Sequence, residues 1–311
     1  MAKILITESV HPIGPELLTA AGHTVVYADR DMDIIRREIV DADAVLVRII
    51  ELPGSLLATA KNLKIVSKHG VGYDNIDLDY CKSHGIAVTI TPNANSLSVA
   101  EHAFTLMLTL AKNIIPVSNE YRTVGFAAKN HTPGIEMTGK TLGLIGMGRI
   151  GKHVLHMCKD GLDMHVIVYD PYISEVPEGV EKVDDLSELL RRADVVTLHC
   201  LLTDETRKLI DRERLALMKP TALLINCARG PIVDEAALIE ALENGRLAGA
   251  GLDVTDPEPV APDSPLFKLP NVIVTPHYAP TTVESATRVS KIAAENINEV
   301  LAGQEPVGCI V

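Results

Sequence analysis

Short β-branched runs alternate with longer stretches of mixed polarity along the whole chain. In the first hundred residues the runs fall at 3–7, 24–28, 44–48, 64–69 and 86–91, each the length of a buried strand. Between them, residues 15–21, 33–41, 56–62 and 78–84 carry the spacing of amphipathic helices. Strict βα alternation predicts a parallel sheet covered by helices on both faces, and five strands suit a flavodoxin-like sheet. A second series follows, with strands at 141–145, 165–170, 194–199, 222–227, 250–254 and 272–275. Between the two series, Ser98-Val99-Ala100-Glu101 has the form of a capping box with Ser98 as N-cap. It opens a helix, through about Asn113, that is apolar nearly all round (Ala103, Phe104, Leu106, Met107, Leu108, Leu110, Ala111), as a helix buried at a domain or subunit junction would be. Residues 125–139, with Pro133, Gly134 and Gly139, read as a loop. The last helical pattern, 283–301, is long enough to leave the second series and pack on the first. The expected fold is therefore α/β, with two doubly wound parallel-sheet domains. A flavodoxin-like substrate domain takes residues 1–98 plus 282–311, and a Rossmann domain takes residues 99–281.

Length and composition agree with two ordinary globular domains: 311 residues, 47% hydrophobic and 23% charged. The net charge of -12 and the lack of a basic cluster argue against a nucleic-acid partner. Five cysteines (Cys81, Cys158, Cys200, Cys227, Cys309), with no CxxC pair, suit free thiols in a reducing compartment. The first residues read as a strand and not as a signal peptide, and the apolar stretch 103–111, closed by His102 and Lys112, is too short to span a bilayer. A cytoplasmic protein without a membrane partner is expected. The chain ends at Val311 with no appended regulatory module, so no feedback through such a module is expected either.

The strongest motif is Gly146-Met147-Gly148-Arg149-Ile150-Gly151, which follows the apolar run Thr141-Leu142-Gly143-Leu144-Ile145 and opens a helical stretch. That context is what a dinucleotide loop requires. Gly146 permits the tight turn, Gly148 lets the backbone approach a pyrophosphate, Gly151 lets helix and strand pack closely, and the phosphates sit at the helix N-terminus. The next strand ends in Asp170, nineteen residues after Gly151. A carboxylate there accepts ribose hydroxyls and repels a 2′-phosphate, which predicts NAD over NADP.

Three more strand ends carry chemistry. Arg229 follows Leu223-Leu224-Ile225-Asn226-Cys227-Ala228, Glu258 follows Gly251-Leu252-Asp253-Val254, and His277 follows Val272-Ile273-Val274-Thr275-Pro276. Ligands of open α/β sheets bind beyond the carboxyl ends of the strands, so the three can converge. Hydride delivery to a keto carbon leaves an alkoxide, and a histidine beside it can supply the proton. A carboxylate partner orients the imidazole and favours its protonated, donating form. A guanidinium grips a substrate carboxylate and polarises the carbonyl.

With these residues in place, the sequence resembles the D-isomer-specific 2-hydroxyacid dehydrogenase family, in its phosphoglycerate dehydrogenase and hydroxypyruvate/glyoxylate reductase-like branch. The likeness rests on 142–151, Asn226-Cys227-Ala228-Arg229-Gly230, 253–259 and Thr275-Pro276-His277. In the first domain it rests on Gly70-Val71-Gly72-Tyr73-Asp74-Asn75-Ile76-Asp77 and on 91–102. The resemblance implies that Arg229, Glu258 and His277 are the catalytic set and that the backbone N–H groups of Val71 and Gly72 hold the substrate carboxylate. It adds Asp253 and the backbone of Cys227 and Ala228 to the cofactor contacts of Gly146, Gly148, Arg149, Ile150, Gly151 and Asp170. It further implies NAD as cofactor, a small 2-keto or 2-hydroxy acid as partner, and a homodimer formed by the nucleotide domains. Two departures stand out: Tyr278-Ala279-Pro280 after His277, where the family commonly carries small glycine-rich residues, and Leu201, where it often has proline.

Arg48, Lys68 and His69 fall near strand ends of the first domain. They are either solvated charges or, with Arg48 foremost, a receptor for a second anionic group on the substrate. His153 and His156, three apart with Cys158 nearby, lack a fourth ligand at suitable spacing, so no metal is expected. Cys227 has no base assigned to it. Outside this dehydrogenase class stands an NAD-sensing interaction protein on the same fold without turnover. A formate- or phosphonate-type dehydrogenase fits a Glu–His pair less well.

Overall fold

The computed structural model describes all 311 residues, which form two compact units: Met1–Asn95 with Thr281–Val311, and Ser96–Pro280.

The first unit holds five parallel strands, β1 (Lys3–Ile6), β2 (Thr24–Tyr27), β3 (Ala44–Val47), β4 (Ile65–Lys68) and β5 (Ala87–Thr89), in the order β2-β1-β3-β4-β5. Ile4, Leu5, Ile6 and all of β3 are buried, because helices cover both faces and leave no polar side. One of those helices is Val283–Leu301, whose N-cap Thr282 accepts from the Ser285 N–H. It packs on this sheet through Ala293, Ala294 and Ile297, and Ser67 Oγ donates to the Ala293 carbonyl at 2.9 Å. The expected flavodoxin-like order is present. The expected helix at 56–62 shrinks to a single turn, Gly54–Leu57, because residues 58–60 turn the chain toward β4.

The second unit is a seven-stranded parallel sheet, with β6 (Thr141–Ile145), β7 (His165–Tyr169), β8 (Val180–Lys182), β9 (Val195–Leu198), β10 (Leu223–Asn226), β11 (Gly249–Leu252) and β12 (Val272–Val274). The order is β12-β11-β10-β9-β6-β7-β8, reversing direction at β6 and β9 as a doubly wound sheet does. The polar three-residue edge strand β8 carries no periodicity and was not foreseen. The apolar helix runs Ser96–Ala111 and buries eight of its residues. It begins two residues before the expected capping box, so Ser98 is a buried residue of its first turn and not its cap. The cause is the turn at 92–95, where Asn93 takes φ 65° and releases the chain into helix at Ser96. Asn113, at φ 52°, ends that helix, and a second one, Ile114–Val124, follows unforeseen. The expected loop at 125–139 opens with a 3-10 stretch, Gly125–Asn130.

Candidate active site

The dinucleotide loop sits at the switch point between β6 and β9. Gly146 has φ 89°, and a Cβ there would lie 2.7 Å from the Cys200 backbone nitrogen. Only glycine fits, because both the backbone conformation and the neighbouring strand end exclude a side chain. Gly148 precedes the Arg149–Leu162 helix, and space is open where its Cβ would stand. At the helix start the backbone amides of Arg149 and Ile150 lack intrahelical acceptors, which suits an anion such as a pyrophosphate. Gly151 packs the helix onto the loop, since a Cβ there would lie 2.3 Å from the Gly146 carbonyl oxygen. At the end of β7, Asp170 accepts the Met147 N–H at 2.8 Å and the Tyr172 N–H at 3.0 Å, which ties the carboxylate to the glycine loop.

The strands β9, β10 and β11 send their following loops to the same edge. Asn226 clamps the loop after β10: its Nδ2 donates to the Arg229 carbonyl at 2.9 Å, and its Oδ1 accepts the Ala228 N–H at 3.0 Å. Cys227 is buried there, and burial pushes its thiol well up, so no thiolate is available for nucleophilic work. The half-buried Arg229 guanidinium donates to the Ala228 carbonyl at 2.8 Å. Gly230 lets the next loop close in, for a Cβ there would stand 1.9 Å from the Thr255 carbonyl oxygen. Glu258 and His277 meet directly, Nδ1 to Oε1 at 2.7 Å, with both side chains about a third exposed. His277 Nε2 is thereby left as the atom that faces chemistry. The turn 277–279 hangs on Asp253, whose carboxylate accepts the N–H groups of Tyr278 (2.7 Å) and Ala279 (2.9 Å) and the Thr275 hydroxyl (2.5 Å). Asn226, Gly230 and Thr275 were not singled out from the sequence, although each lies inside a quoted motif.

In the first unit, Arg48, Lys68 and His69 come together at the ends of β3 and β4. Arg48 Nη1 donates to the Ser9 carbonyl at 2.9 Å, and its backbone N–H donates to the buried Glu8 carboxylate at 2.7 Å. The buried Lys68 ammonium donates to Asn75 Oδ1 at 2.6 Å and to the Arg48 carbonyl, so it fastens the loop that carries Arg48. No hydrogen bond within the chain takes up the backbone N–H of Val71 or Gly72. His153 and His156 are exposed while Cys158 is buried on the opposite side of their helix, and His156 pairs with Asp160. The trio does not share a face.

Two buried histidines give the stability a predictable acid dependence. Burial pushes the imidazoles of His69 and His199 down to about 3, helped at His69 by the charges of Arg48 and Lys68. Each keeps one buried ring nitrogen without a partner. Both are neutral in the fold at pH values where an unfolded histidine takes up a proton. Between pH 6.5 and 3 the unfolded chain therefore binds more protons. The contribution of these two imidazoles to stability is complete above pH 6.5 and falls below it, by at most about 1.4 kcal/mol per pH unit for each. Guanidinium melts from about pH 7 to about pH 5 are expected to show this fall, and His199→Asn to flatten it; an unchanged slope would contradict the assignment to His199.

Residues 104–279 match the family described as D-isomer specific 2-hydroxyacid dehydrogenase, NAD binding domain. The chain belongs to this family. It is 43% identical to a D-3-phosphoglycerate dehydrogenase of Methanocaldococcus jannaschii over 308 residues, covering 98% of this chain and 58% of that one. It is 38% identical to a glyoxylate reductase of Thermofilum pendens, covering 98% and 93% of the two chains. The family member thus spans a little over half the length of the phosphoglycerate dehydrogenases it matches. Among solved structures, D-lactate dehydrogenase from Aquifex aeolicus, complexed with NAD and lactic acid, superposes with a TM-score of 0.90 at 32% identity over 99% of each chain. A protein from Thermus thermophilus superposes at 0.91 with 35% identity, over 99% of this chain and all of that one. In this member Tyr278 is 52% exposed, with its ring set edge-on to His102 at 6.1 Å. Leu201 is exposed in the loop after β9, where Thr206 Oγ1 donates to its carbonyl.

Proposed function

We propose that the chain interconverts a small 2-keto acid and its D-2-hydroxy acid with NAD(H), acting through Arg229, Glu258 and His277. The observation that carries this reading is the 2.7 Å Glu258–His277 pair, built on the same sheet as the glycine loop, its members following the strands one and two places from the strand that Arg229 follows. When bound, the nicotinamide supplies or accepts the hydride at carbon 2. His277 Nε2 gives its proton to the carbonyl oxygen during reduction and takes it back during oxidation. Glu258 holds Nδ1 and stabilises the charged imidazole. Arg229 binds the carboxylate and polarises the carbonyl. The spare N–H groups of Val71 and Gly72 are donors of the kind that cradle a carboxylate. Gly146, Gly148, Arg149, Ile150 and Gly151 hold the pyrophosphate, Asp170 the adenosine ribose, and the backbone of Cys227 and Ala228 the nicotinamide side, where the buried Asp253 acts through the 277–279 turn that it holds.

Arg48, with a single hydrogen bond on its guanidinium and no carboxylate partner, supports a substrate that bears a second anionic group. Phosphohydroxypyruvate is the type case, with hydroxypyruvate and glyoxylate as smaller relatives. One experiment tests substrate and cofactor together: NADH and NADPH oxidation, followed by absorbance, against a panel of 2-keto acids. Doubly anionic acids are expected to be preferred, and Arg48→Ala to erase that preference. NADH is expected to be preferred over NADPH, and Asp170→Ala to weaken the discrimination. Equal use of both cofactors by the unaltered protein would overturn the role given to Asp170.

The same reading includes a homodimer formed by the nucleotide unit. The Ile114–Val124 helix buries none of its residues within the chain, and Ile114, Ile115, Tyr121, Val124 and Phe126 form an exposed apolar surface that a second copy would cover. Sedimentation velocity is expected to give a dimer that Phe126→Asp with Tyr121→Asp converts to monomer; a monomeric parent protein would refute it. A reducing cytoplasm suits the five unpaired thiols, and no helix is long and apolar enough to cross a membrane.

A further inference from the structure

His102 plays no part in the chemistry assigned above, yet it is wired to the turn that carries His277. Its ring lies in the Ser96–Ala111 helix, with a side chain only 16% exposed. Nε2 stands 3.0 Å from Thr275 Oγ1 and 3.5 Å from Asp253 Oδ1. The Thr275 hydroxyl donates its one proton to Asp253 Oδ1, so only its lone pairs face the imidazole. His102 Nε2 therefore carries a proton and donates. A three-member chain results, from His102 through Thr275 to Asp253.

The far end of that chain is the catalytic turn. The 1% exposed Asp253 accepts the Tyr278 and Ala279 N–H groups through its carboxylate, and its backbone carbonyl accepts the His277 N–H at 2.9 Å. His277 itself sits at φ 53°, a left-handed conformation that a non-glycine residue keeps only when its surroundings impose it. The His102 ring also meets the Tyr278 ring edge-on, so one side chain touches both the hydrogen-bond chain and the residue next to His277.

We propose that His102 is a positioning residue for proton transfer: its Nε2–H fixes Thr275 and Asp253, and through them the left-handed turn that aims His277. The proposal rests on the reading of His277 as the proton donor. Linked hydrogen bonds polarise one another in a dry site, and losing the outermost donor frees the Thr275 hydroxyl to leave Asp253. A core-filling histidine would need only volume. A positioning histidine needs a donor at the Nε2 position, which glutamine supplies and leucine does not.

The test compares His102→Leu and His102→Gln in the full chain, by amide hydrogen exchange at Tyr278 and Ala279 and by steady-state kinetics. His102→Leu is expected to exchange those two amides at least about ten-fold faster. It should also lower kcat about 10- to 100-fold, with the keto-acid KM within about three-fold. His102→Gln is expected to return both readouts to within about three-fold of the parent. Should the leucine variant not fold, His102→Met removes the same donor while leaving the Thr275–Asp253 bond in place, and is read in the same way. Unchanged exchange in His102→Leu, or glutamine no better than leucine, would overturn the proposal. If His277→Ala kept full turnover, the donor reading would fall, while the exchange measurement would still decide whether His102 holds the turn.

Discussion

Replacing His277 with alanine is expected to lower the rate of 2-keto acid reduction by about 10²- to 10⁴-fold while NADH still binds. The reason is local. His277 is held by the Glu258 carboxylate on Nδ1 and by the Asp253 and Thr275 carbonyls, which share its backbone N–H. Neither is part of the glycine loop, which is built from β6, β7 and the loop after β9. Cofactor affinity, read from NADH fluorescence, should therefore change little, and the loss should appear in kcat. Full turnover in His277→Ala would show that the proton comes from elsewhere.

The second large effect is expected at a residue with no reactive group. Gly230→Ala would place a Cβ 1.9 Å from the Thr255 carbonyl oxygen and 2.2 Å from its carbon. Backbone cannot yield as a flexible side chain does, so the loops after β10 and β11 must separate. Those loops carry Arg229 and Glu258. A displacement of about 1 Å at reacting groups costs on the order of 10²-fold in rate, and overpacking a buried site costs about 1–3 kcal/mol or more. The variant is expected to lose both stability and turnover. A melting temperature and kcat equal to the parent's would mean that the two loops are not as tightly joined as the contact implies.

How much of this was legible in the sequence depended on the range of the interaction. The two parallel sheets announced themselves, because strands buried on both faces read as short apolar runs, as in Leu223-Leu224-Ile225 of β10. The last helix was readable as one long pattern at 283–301, and the Thr282 cap that starts it emerges only in the structure. The three-residue strand β8 was not, because Val180-Glu181-Lys182 holds its place by pairing with β7 and not by its own pattern. Ser98 misled because a capping box is a local signal, and the real helix start is set by the turn at Asn93. In the site, Arg229, Glu258 and His277 were visible as reactive types at strand ends. Asn226, Gly230, Thr275 and His102 were not, because their roles arise from contacts such as His102 to Thr275, 173 positions apart. No single-residue chemistry marks such partners.

Hydride transfer between NAD(H) and carbon 2 of a keto acid is the step on which every proposed residue role depends. The most direct measurement is a single-turnover reaction of the protein with NADH and a 2-keto acid such as hydroxypyruvate, following NADH absorbance and resolving the product by chiral chromatography. NADH is expected to be consumed in equal amount to the D-2-hydroxy acid formed. If NADH bound tightly yet persisted with every keto acid offered, the proposed hydride transfer would be refuted and the chain would be a cofactor-sensing protein on a dehydrogenase fold.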